Sequence, residues 1–479
     1  MLKQALSLSA SNGLIALVNL FRNILIARLI SVEDFGIAST FAVTMSLIEM
    51  TSNFALDRML VQTSDGGSNR FQSSVQMLQA ARGAIGAAIM FLAAGPIAVL
   101  FGVPDVAWAY QLLALVPLLR GLAHFDMFRL QRKLEFRTII CVEMGAVFLA
   151  TASAFPLSIW LQDYRAMLWV LLLQQSTYTI LSHVLAKRRY RWSFDSIVAK
   201  RAFVFGWPLL LNGILMFTIF QGDRVLVGSM IGMKELGWFS AALTLAIAPT
   251  VVIGKTLDSF FLPQLSRVQS KPEEFGHLYL ASTQAALFAG VLLTLLAVLL
   301  GEFLVHILYG AKYGPAVPLL VLLFIAQGLR IGKAGPAIAA TAKADTKNPM
   351  IANACRFLAL PVAWLALTQG GGIMTIIYVA IAGEALALVV SLLMLHKRQN
   401  LPLKPLSIPL AISALAYGVA ASNSLIVTEN SIEAWAAQAA LTVVLIAALM
   451  WSMRDLRAWV QHMLSLHRSG GGKATNQTH

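Results

Sequence analysis

The sequence predicts an all-α, polytopic membrane protein with about 14 transmembrane helices, on the evidence of its composition, its apolar stretches and an internal repeat. Of its 479 residues, 58% are hydrophobic and only 12% are charged, and the mean hydropathy is +0.74. Soluble proteins carry about 25% charged residues. Apolar stretches of roughly 18–25 residues recur along the chain, and each is long enough to cross the ~30 Å hydrocarbon core as a helix.

The apolar stretches fall into two sets of six and a final pair. The predicted spans are 9–30, 37–60, 77–100, 106–128, 139–160, 166–186, 203–231, 237–262, 278–300, 316–340, 350–368, 373–395, 406–422 and 434–453. We therefore predict an N-terminal lobe over residues 1–200, a C-terminal lobe over 201–396, an appended helix pair over 397–453 and a tail over 454–479.

An internal repeat relates the two predicted lobes. Residues 24–37 read ILIARLISVEDFGI, and residues 225–238 read VLVGSMIGMKELGW, aligned without a gap at an offset of 201 (225 minus 24). Each copy leaves an apolar helix, crosses a short charged turn with a glycine, Gly36 or Gly237, and enters another apolar helix. Similar lobes repeated within one membrane chain are typical of transporters, which carry a solute between them.

The distribution of basic residues predicts the orientation in the membrane. The turns on one predicted side, together with both termini, carry 23 Lys and Arg residues, and the opposite turns carry three, Arg165, Lys234 and Lys312. The positive-inside rule makes the first side, and so both termini, cytoplasmic. The formal net charge of +14 lies mostly in these turns, so it reflects membrane topology and predicts no nucleic-acid partner.

Motifs for catalysis or for metal binding are not found. The predicted segments outside the membrane are short, and the chain has no Gly-rich phosphate loop ending in Lys-Ser/Thr, no His-Glu-x-x-His and no Gly-x-Ser-x-Gly. We therefore expect no enzyme activity, no catalytic residue, no cofactor and no metal. Cys141 and Cys355 both lie in apolar stretches, and we expect no structural disulfide.

Charged residues inside the spans predict a polar cavity. A charge at bilayer depth costs at least about 2.5 kcal/mol, so it must face protein or water. Basic residues outnumber acidic ones there, which favours an anionic ligand. The candidate cavity cations are Arg22, Arg120, Arg224, Lys255, Arg330, Lys333 and Arg356. The candidate coupling or ion-pair acids are Glu49, Asp223, Asp258 and Glu384.

Each candidate has a structural alternative. Arg330 and Lys333 are three apart on one helix face and alike in sign, so they need an acid from another helix or an anionic ligand. Lys255 and Asp258 share a face and form either an ion pair or part of the cavity.

The other candidate residues also have more than one interpretation. Arg22 and Asp223 are repeat counterparts, which predicts an anion site or a salt bridge between lobes. Glu49 and Glu384 are proton carriers or arginine partners. Arg82 lies near a span end, where we expect its side chain to reach the lipid headgroups.

Several motifs in order resemble a known family. The first half contains the stretch 27–36, ARLISVEDFG, and the basic turn 130–137, LQRKLEFR. The second half contains 222–228, GDRVLVG, then GWFSAA from residue 237 and LPQLSR from residue 262. Their order and spacing over residues 5–395 resemble the polysaccharide biosynthesis flippases of the multidrug/oligosaccharidyl-lipid/polysaccharide exporter superfamily.

The resemblance implies two six-helix lobes with alternating access between them, and a polyprenyl-pyrophosphate-linked oligosaccharide as substrate. Related flippases use a basic residue in their first span, and the resemblance implies that Arg22 is the residue here that best matches it. The expected location is the bacterial inner membrane, the expected state is a monomer, and polysaccharide polymerase machinery is an expected partner. The alternatives are a cation-coupled multidrug exporter of the same superfamily and a membrane polysaccharide polymerase or ligase.

Overall fold

The computed structural model describes residues 2–52, 54–425 and 432–471, and within these ranges the regular structure is helical throughout. The predicted all-α class is confirmed. The first helices are α1 Leu2–Leu29, α2 Val32–Thr51, α3 Leu56–Gln62, α4 Asn69–Leu100, α5 Ala107–Leu113, α6 Leu115–Gly121, α7 Asp126–Arg132, α8 Arg137–Leu161 and α9 Arg165–Val184. The remaining helices are α10 Ser196–Met230, α11 Met233–Arg267, α12 Pro272–Tyr309, α13 Ala316–Ala342, α14 Lys347–Thr368, α15 Ile373–Gln399, α16 Ser407–Leu425, α17 Ile432–Ser452 and α18 Arg454–Gly471.

A helix or a broken helix lies at each predicted span, but a total of 14 crossings is not confirmed. Among the described residues, 11 helices are long and apolar enough to cross a membrane, or 12 if one bent pair counts as a span. That pair, Pro104–Gly121 with Asp126–Arg132, is bent by 46°. The other two positions are α2, which contains three acidic residues, and α9, which contains the polar run 174–177. These residues lower the hydropathy of both helices.

The helices form two compact units. Unit 1 comprises the described residues up to Ala241 together with Leu308–Lys312, and unit 2 comprises Ala242–Ile307 and the described residues from Tyr313 onward. Within unit 1, α10 packs closely on α2, because Gly213 lets its helix meet the backbone of Met50. The predicted lobe boundary at residue 200 stays a prediction.

The two copies of the repeat contact each other within unit 1. Gly36 lies against the backbone oxygen of Met233, and Gly237 lies against the backbone oxygen of Val32. Val32 and Met233 are themselves repeat counterparts (233 minus 32 is 201), so the contact is reciprocal. A side chain at either glycine would overlap the facing backbone. The repeat therefore places glycine at both points where its copies approach most closely.

A buried ion pair stabilises α7, just after the bend. The Arg129 guanidinium donates to both carboxylate oxygens of Asp126, at 2.5 and 3.1 Å, and the Lys187 backbone N–H donates to the same carboxylate at 2.8 Å. Asp126 and Arg129 are both buried. Lys187 follows α9 in the chain, so this carboxylate joins the end of α9 to the start of α7.

We expect Asp126→Ala to lower the free energy of unfolding by about 3–5 kcal/mol, because it leaves Arg129 buried without its carboxylate. Thermal unfolding of the purified protein in detergent measures this change. Asp65→Ala is the matched control, because the Asp65–Arg201 pair is exposed and is worth about 0–1 kcal/mol. Equal melting temperatures for the two variants would contradict the assignment.

The C-terminal helix α18 packs against other helices of unit 2. Trp459 lies edge-to-face with Phe260 of α11, with ring centroids 5.4 Å apart. The Asp455 carboxylate accepts a hydrogen bond from Gln284 of α12 at 3.2 Å. Much of the predicted tail is thus an ordered helix, and the part of that tail from residue 472 onward lies outside the described residues.

Candidate substrate site

Three basic side chains converge on one carboxylate in unit 2. The Arg330 guanidinium contacts the Oε1 atom of Glu384 at 2.7 Å, Lys333 Nζ contacts Oε2 at 3.1 Å, and Arg356 Nε lies 3.6 Å from Oε1. Arg330 and Lys333 come from α13, Arg356 from α14 and Glu384 from α15. We call these four residues the Glu384 cluster.

The Glu384 cluster is buried and positively charged. The exposed fraction of the side chain is 1% for Glu384, 5% for Arg356, 12% for Lys333 and 22% for Arg330. Three cations and one carboxylate give the cluster a net charge of +2. Its charge is therefore suited to an anion.

Neutral groups and close helix packing hold the cluster in place. Lys333 Nζ donates to Asn353 Oδ1 at 3.4 Å, and Arg330 Nη1 donates to Gln327 Oε1 at 3.4 Å. Gly383, next to Glu384, faces Ala359 so closely that an added methyl group would lie 2.7 Å from the Ala359 side chain. The close approach of α14 and α15 brings Arg356 to the carboxylate.

The sequence had left Arg330 and Lys333 with two possible partners, an acid from another helix or a ligand. The structure supplies the acid, Glu384, from α15. It also makes Glu384 an arginine partner in this conformation. The pair was visible in the sequence, but its partner 54 positions away from Arg330 was only one of several candidate acids.

A second polar group lies in unit 1. Arg120 Nη1 of α6 pairs with Glu49 Oε1 of α2 at 3.4 Å, and the Arg120 guanidinium lies 5.4 Å from the ring centre of Tyr178 of α9. Arg82 of α4 donates to Ser52 Oγ and to Gln79 Oε1, both at 3.2 Å. The side chains of Glu49, Arg82 and Arg120 line one small cavity.

That Arg82 reaches the lipid headgroups stays a prediction. Its side chain is half-buried, and it donates hydrogen bonds to Ser52, just after α2, and to Gln79 of its own helix. The predicted span began at residue 77, whereas α4 begins at Asn69. Arg82 therefore lies further from the helix end than the apolar stretch indicated. In the sequence, the only indication of where Arg82 lies was its position near the start of a long apolar stretch.

Two other predicted cations lie elsewhere in unit 1. Arg22 is buried and donates to Gln174 Oε1 of α9, and no ion pair joins it to Asp223 among the described residues. Arg224 Nη1 donates to Gln221 Oε1 at 3.0 Å, and Gln221 donates in turn to Ser46 of α2 at 3.2 Å. Asp223 lies beside Arg224, half-buried. Unit 1 thus holds Arg22 and Arg224 in separate polar contacts.

The remaining pair, Lys255 and Asp258, is exposed on α11. No ion pair joins these two side chains in the part of the chain that the structure describes. The predicted pairing between them is therefore not observed. Their membership of a cavity stays a prediction.

Solved structures with the same fold are transporters. One match is the lipid II flippase MurJ in an inward closed conformation, with a TM-score of 0.68 and 14% identity, covering 94% of this chain and 99% of that one. Another is an inward-facing multidrug resistance MATE family transporter of the MOP superfamily, with a TM-score of 0.63 and 14% identity, covering 80% and 94%. At this identity the likeness shows the fold alone.

The sequence comparison identifies the family. The family model described as "Polysaccharide biosynthesis protein" matches residues 25–318, more than half of the chain, so the protein belongs to that family. The resemblance inferred from its motifs is confirmed. The matched region contains the second repeat copy, all of the first copy except residue 24, and Glu49, Arg82 and Arg120, and it ends before the Glu384 cluster.

Two curated relatives are named for polysaccharide biosynthesis. The succinoglycan biosynthesis transport protein ExoT of Rhizobium meliloti (strain 1021) is 26% identical over 318 residues, 64% of this chain. The lipopolysaccharide biosynthesis protein WzxC of Escherichia coli (strain K12) is 23% identical over 312 residues, also 64% of this chain. The chain spans 62% of the length of each relative.

Proposed function

We propose that this protein is a flippase that moves a polyprenyl-pyrophosphate-linked oligosaccharide from the cytoplasmic to the periplasmic leaflet for polysaccharide biosynthesis. The observation that carries the proposal is the net charge of +2 on the buried Glu384 cluster. The family and the transporter fold support it. A pyrophosphate bears several negative charges, and buried cations bind such a group strongly where water is excluded.

The geometry of the cluster suggests how the headgroup enters and leaves. Arg330, Lys333 and Arg356 share one carboxylate, so a pyrophosphate oxygen competes with Glu384 for the same donors. Substrate binding exchanges internal ion pairs for ligand contacts, and release restores them. Such an exchange limits the cost of leaving the cations unpaired in the empty site. An organic cation, the ligand of a multidrug exporter, would be repelled by the same charges.

The orientation and the surroundings are part of the proposal. The excess of Lys and Arg in one set of turns supports an inner-membrane protein with both termini in the cytoplasm. The headgroup then loads from the cytoplasmic side and leaves to the periplasm by alternating access. We propose a monomer that acts without enzymatic chemistry and delivers its lipid to a polysaccharide polymerase.

The test is the lipid content of cells that lack the gene. We expect a polyprenyl-pyrophosphate oligosaccharide to accumulate, to disappear when the gene is restored, and to persist when the restored gene carries Arg330→Ala with Lys333→Ala. Lipid extraction and mass spectrometry measure the accumulation. The double variant Arg267→Ala with Lys397→Ala is the matched control, because it removes two exposed cations of the same unit and should restore transport.

Two outcomes would overturn the proposal. Normal lipid and polymer levels in well-expressed cluster variants would reject the anion site. No lipid accumulation in the deletion strain, together with new sensitivity to cationic dyes, would instead favour the multidrug exporter.

A further inference from the structure

An apolar groove of about 430 Å³ lies in unit 1 between α2, α3, α4 and α10. This volume is within the range of about 300–1,000 Å³ found for small-molecule sites. Ile48 of α2, Leu78 of α4 and Leu210 of α10 form parts of its wall. Ile85 of α4 and Phe203 of α10 line it as well, and these residues are 61% and 62% exposed. The groove is therefore open on the side where Ile85 and Phe203 lie.

One end of this groove meets the small polar cavity of unit 1. Ile48, Ser52 and Arg82 line both spaces, and the polar cavity continues to Glu49 and Arg120. The hydrogen-bond acceptors of Arg82 are Ser52 and Gln79, which are neutral. Their hydrogen bonds orient the guanidinium, and the charges of Glu49, Asp57 and Arg120 also act on it. An apolar space that ends at a positive charge matches a hydrocarbon chain attached to a phosphate.

The position of the groove along its helices fits loading from the cytoplasm. Arg82 lies 13 residues after the start of α4 (82 minus 69), about 20 Å along the helix. The lining residues of α10 lie between Ala199 and Leu210, close to its start at Ser196. In the proposed orientation both helices start in the cytoplasm, so the groove begins in the cytoplasmic half of the bilayer and extends along α4 to Ile89, 20 residues after the start of that helix (89 minus 69).

We propose that this groove binds the hydrocarbon chain of the polyprenyl carrier, with its phosphate facing Arg82. The inference rests on the proposed function, which supplies the class of lipid. The volume suits a segment of one chain better than the two acyl chains of a phospholipid. The groove binds the lipid in the inner leaflet, and the guanidinium directs its headgroup to the polar interior of unit 1.

The test is photolabelling of the purified full-length protein in nanodiscs, without transport. One probe is a polyprenyl phosphate that carries a diazirine on its chain, and the comparison probes are a diazirine-bearing phosphatidylglycerol and the polyprenyl alcohol. We expect the polyprenyl phosphate to label peptides of α4 and α10 preferentially. Arg82→Gln should weaken labelling by the phosphate about tenfold and leave labelling by the alcohol unchanged.

A bulky side chain in the groove gives a second readout. Ala81 lines the groove, so Ala81→Trp should reduce labelling about tenfold by occupying the space of the chain. Ala84 is also exposed on the same helix and does not line the groove, so Ala84→Trp is the matched control. Both variants must first give a single folded species on gel filtration, and Ala81→Phe replaces the larger variant if it does not.

The outcomes separate this inference from the proposed function. Equal labelling by phosphatidylglycerol, or labelling that Ala81→Trp and Ala81→Phe leave unchanged, overturns the groove as the chain site. Specific labelling of the groove in a protein whose deletion accumulates no lipid-linked oligosaccharide supports the chain site and rejects the flippase. Accumulation of the lipid-linked oligosaccharide in the deletion strain, without labelling of the groove, supports the flippase and rejects the groove as the chain site.

Discussion

Glu384→Gln is expected to deplete the protein from the membrane fraction. The carboxylate is the shared partner of Arg330, Lys333 and Arg356. Its neutralisation changes the net charge of the cluster from +2 to +3. Removing one partner of a buried ion pair costs about 3–5 kcal/mol, a large part of the 5–15 kcal/mol that stabilises a typical domain.

A compensating substitution separates the structural role of Glu384 from a role in transport. Glu384→Gln with Lys333→Met returns the net charge of the cluster to +2, so we expect the amount of membrane-inserted protein to recover. Transport should stay impaired, because one of the three headgroup donors is missing. Immunoblots of membrane fractions and lipid analysis of the same cells measure the two effects separately.

The opposite pattern would identify a proton carrier. If Glu384→Gln inserts at the normal level and loses transport alone, the carboxylate is not needed to balance the cations. Its protonation would then be the coupling event, which was the other interpretation of Glu384 from the sequence. Lys333→Met alone is the control for the effect of the methionine.

The helical fold could be predicted because the bilayer imposes it. Apolar stretches of sufficient length specify helices, whatever their tertiary contacts. The number of crossings was harder to predict, because α2 and α9 carry polar residues that tertiary packing accommodates. Gln174 of α9, for example, lowers the hydropathy of its helix and accepts a hydrogen bond from Arg22.

The site was predictable only in part, because contacts between helices depend on packing. The spacing of Arg330 and Lys333 identified a like-charged pair, whereas Glu384 was one acid among several. The repeat suggested that Arg22 faces Asp223, its counterpart. Counterparts meet only near the local axis that relates the copies, and this axis passes near the turns at Gly36 and Gly237. Arg22 lies seven residues before the end of α1 at Leu29, roughly 10 Å along the helix, where it contacts α9 instead.

The reciprocal contact between the repeat copies leads to the second large effect. We expect Gly36→Ala to abolish transport, because a methyl group there would overlap the backbone oxygen of Met233. Backbone atoms move less readily than side chains, so the two turns must separate. Overpacking of this kind typically costs about 1–3 kcal/mol, enough to change the populations of two conformations by one to two orders of magnitude.

Cysteine labelling measures the separation directly. Val32 is buried at this contact, so Val32→Cys, in a protein with Cys141 and Cys355 replaced by serine, should react slowly with an impermeant maleimide added outside the cell. Adding Gly36→Ala should accelerate the reaction about tenfold. Gly95→Ala is the matched control, because an added methyl group at Gly95 meets no atom within 4 Å. Unchanged labelling with normal transport would mean that the turns open and close without regard to this contact.

The symmetry of the contact makes a sharper test than either substitution alone. Gly237→Ala should reproduce the effect of Gly36→Ala, because a methyl group there would overlap the backbone oxygen of Val32. Both substitutions break the same packing, so the double variant should label scarcely faster than either single variant. Independent sites would instead give free-energy changes that add. Free-energy changes that do not add therefore show that the two turns separate together at one shared contact. Free-energy changes that add show that each glycine affects only the packing of its own turn.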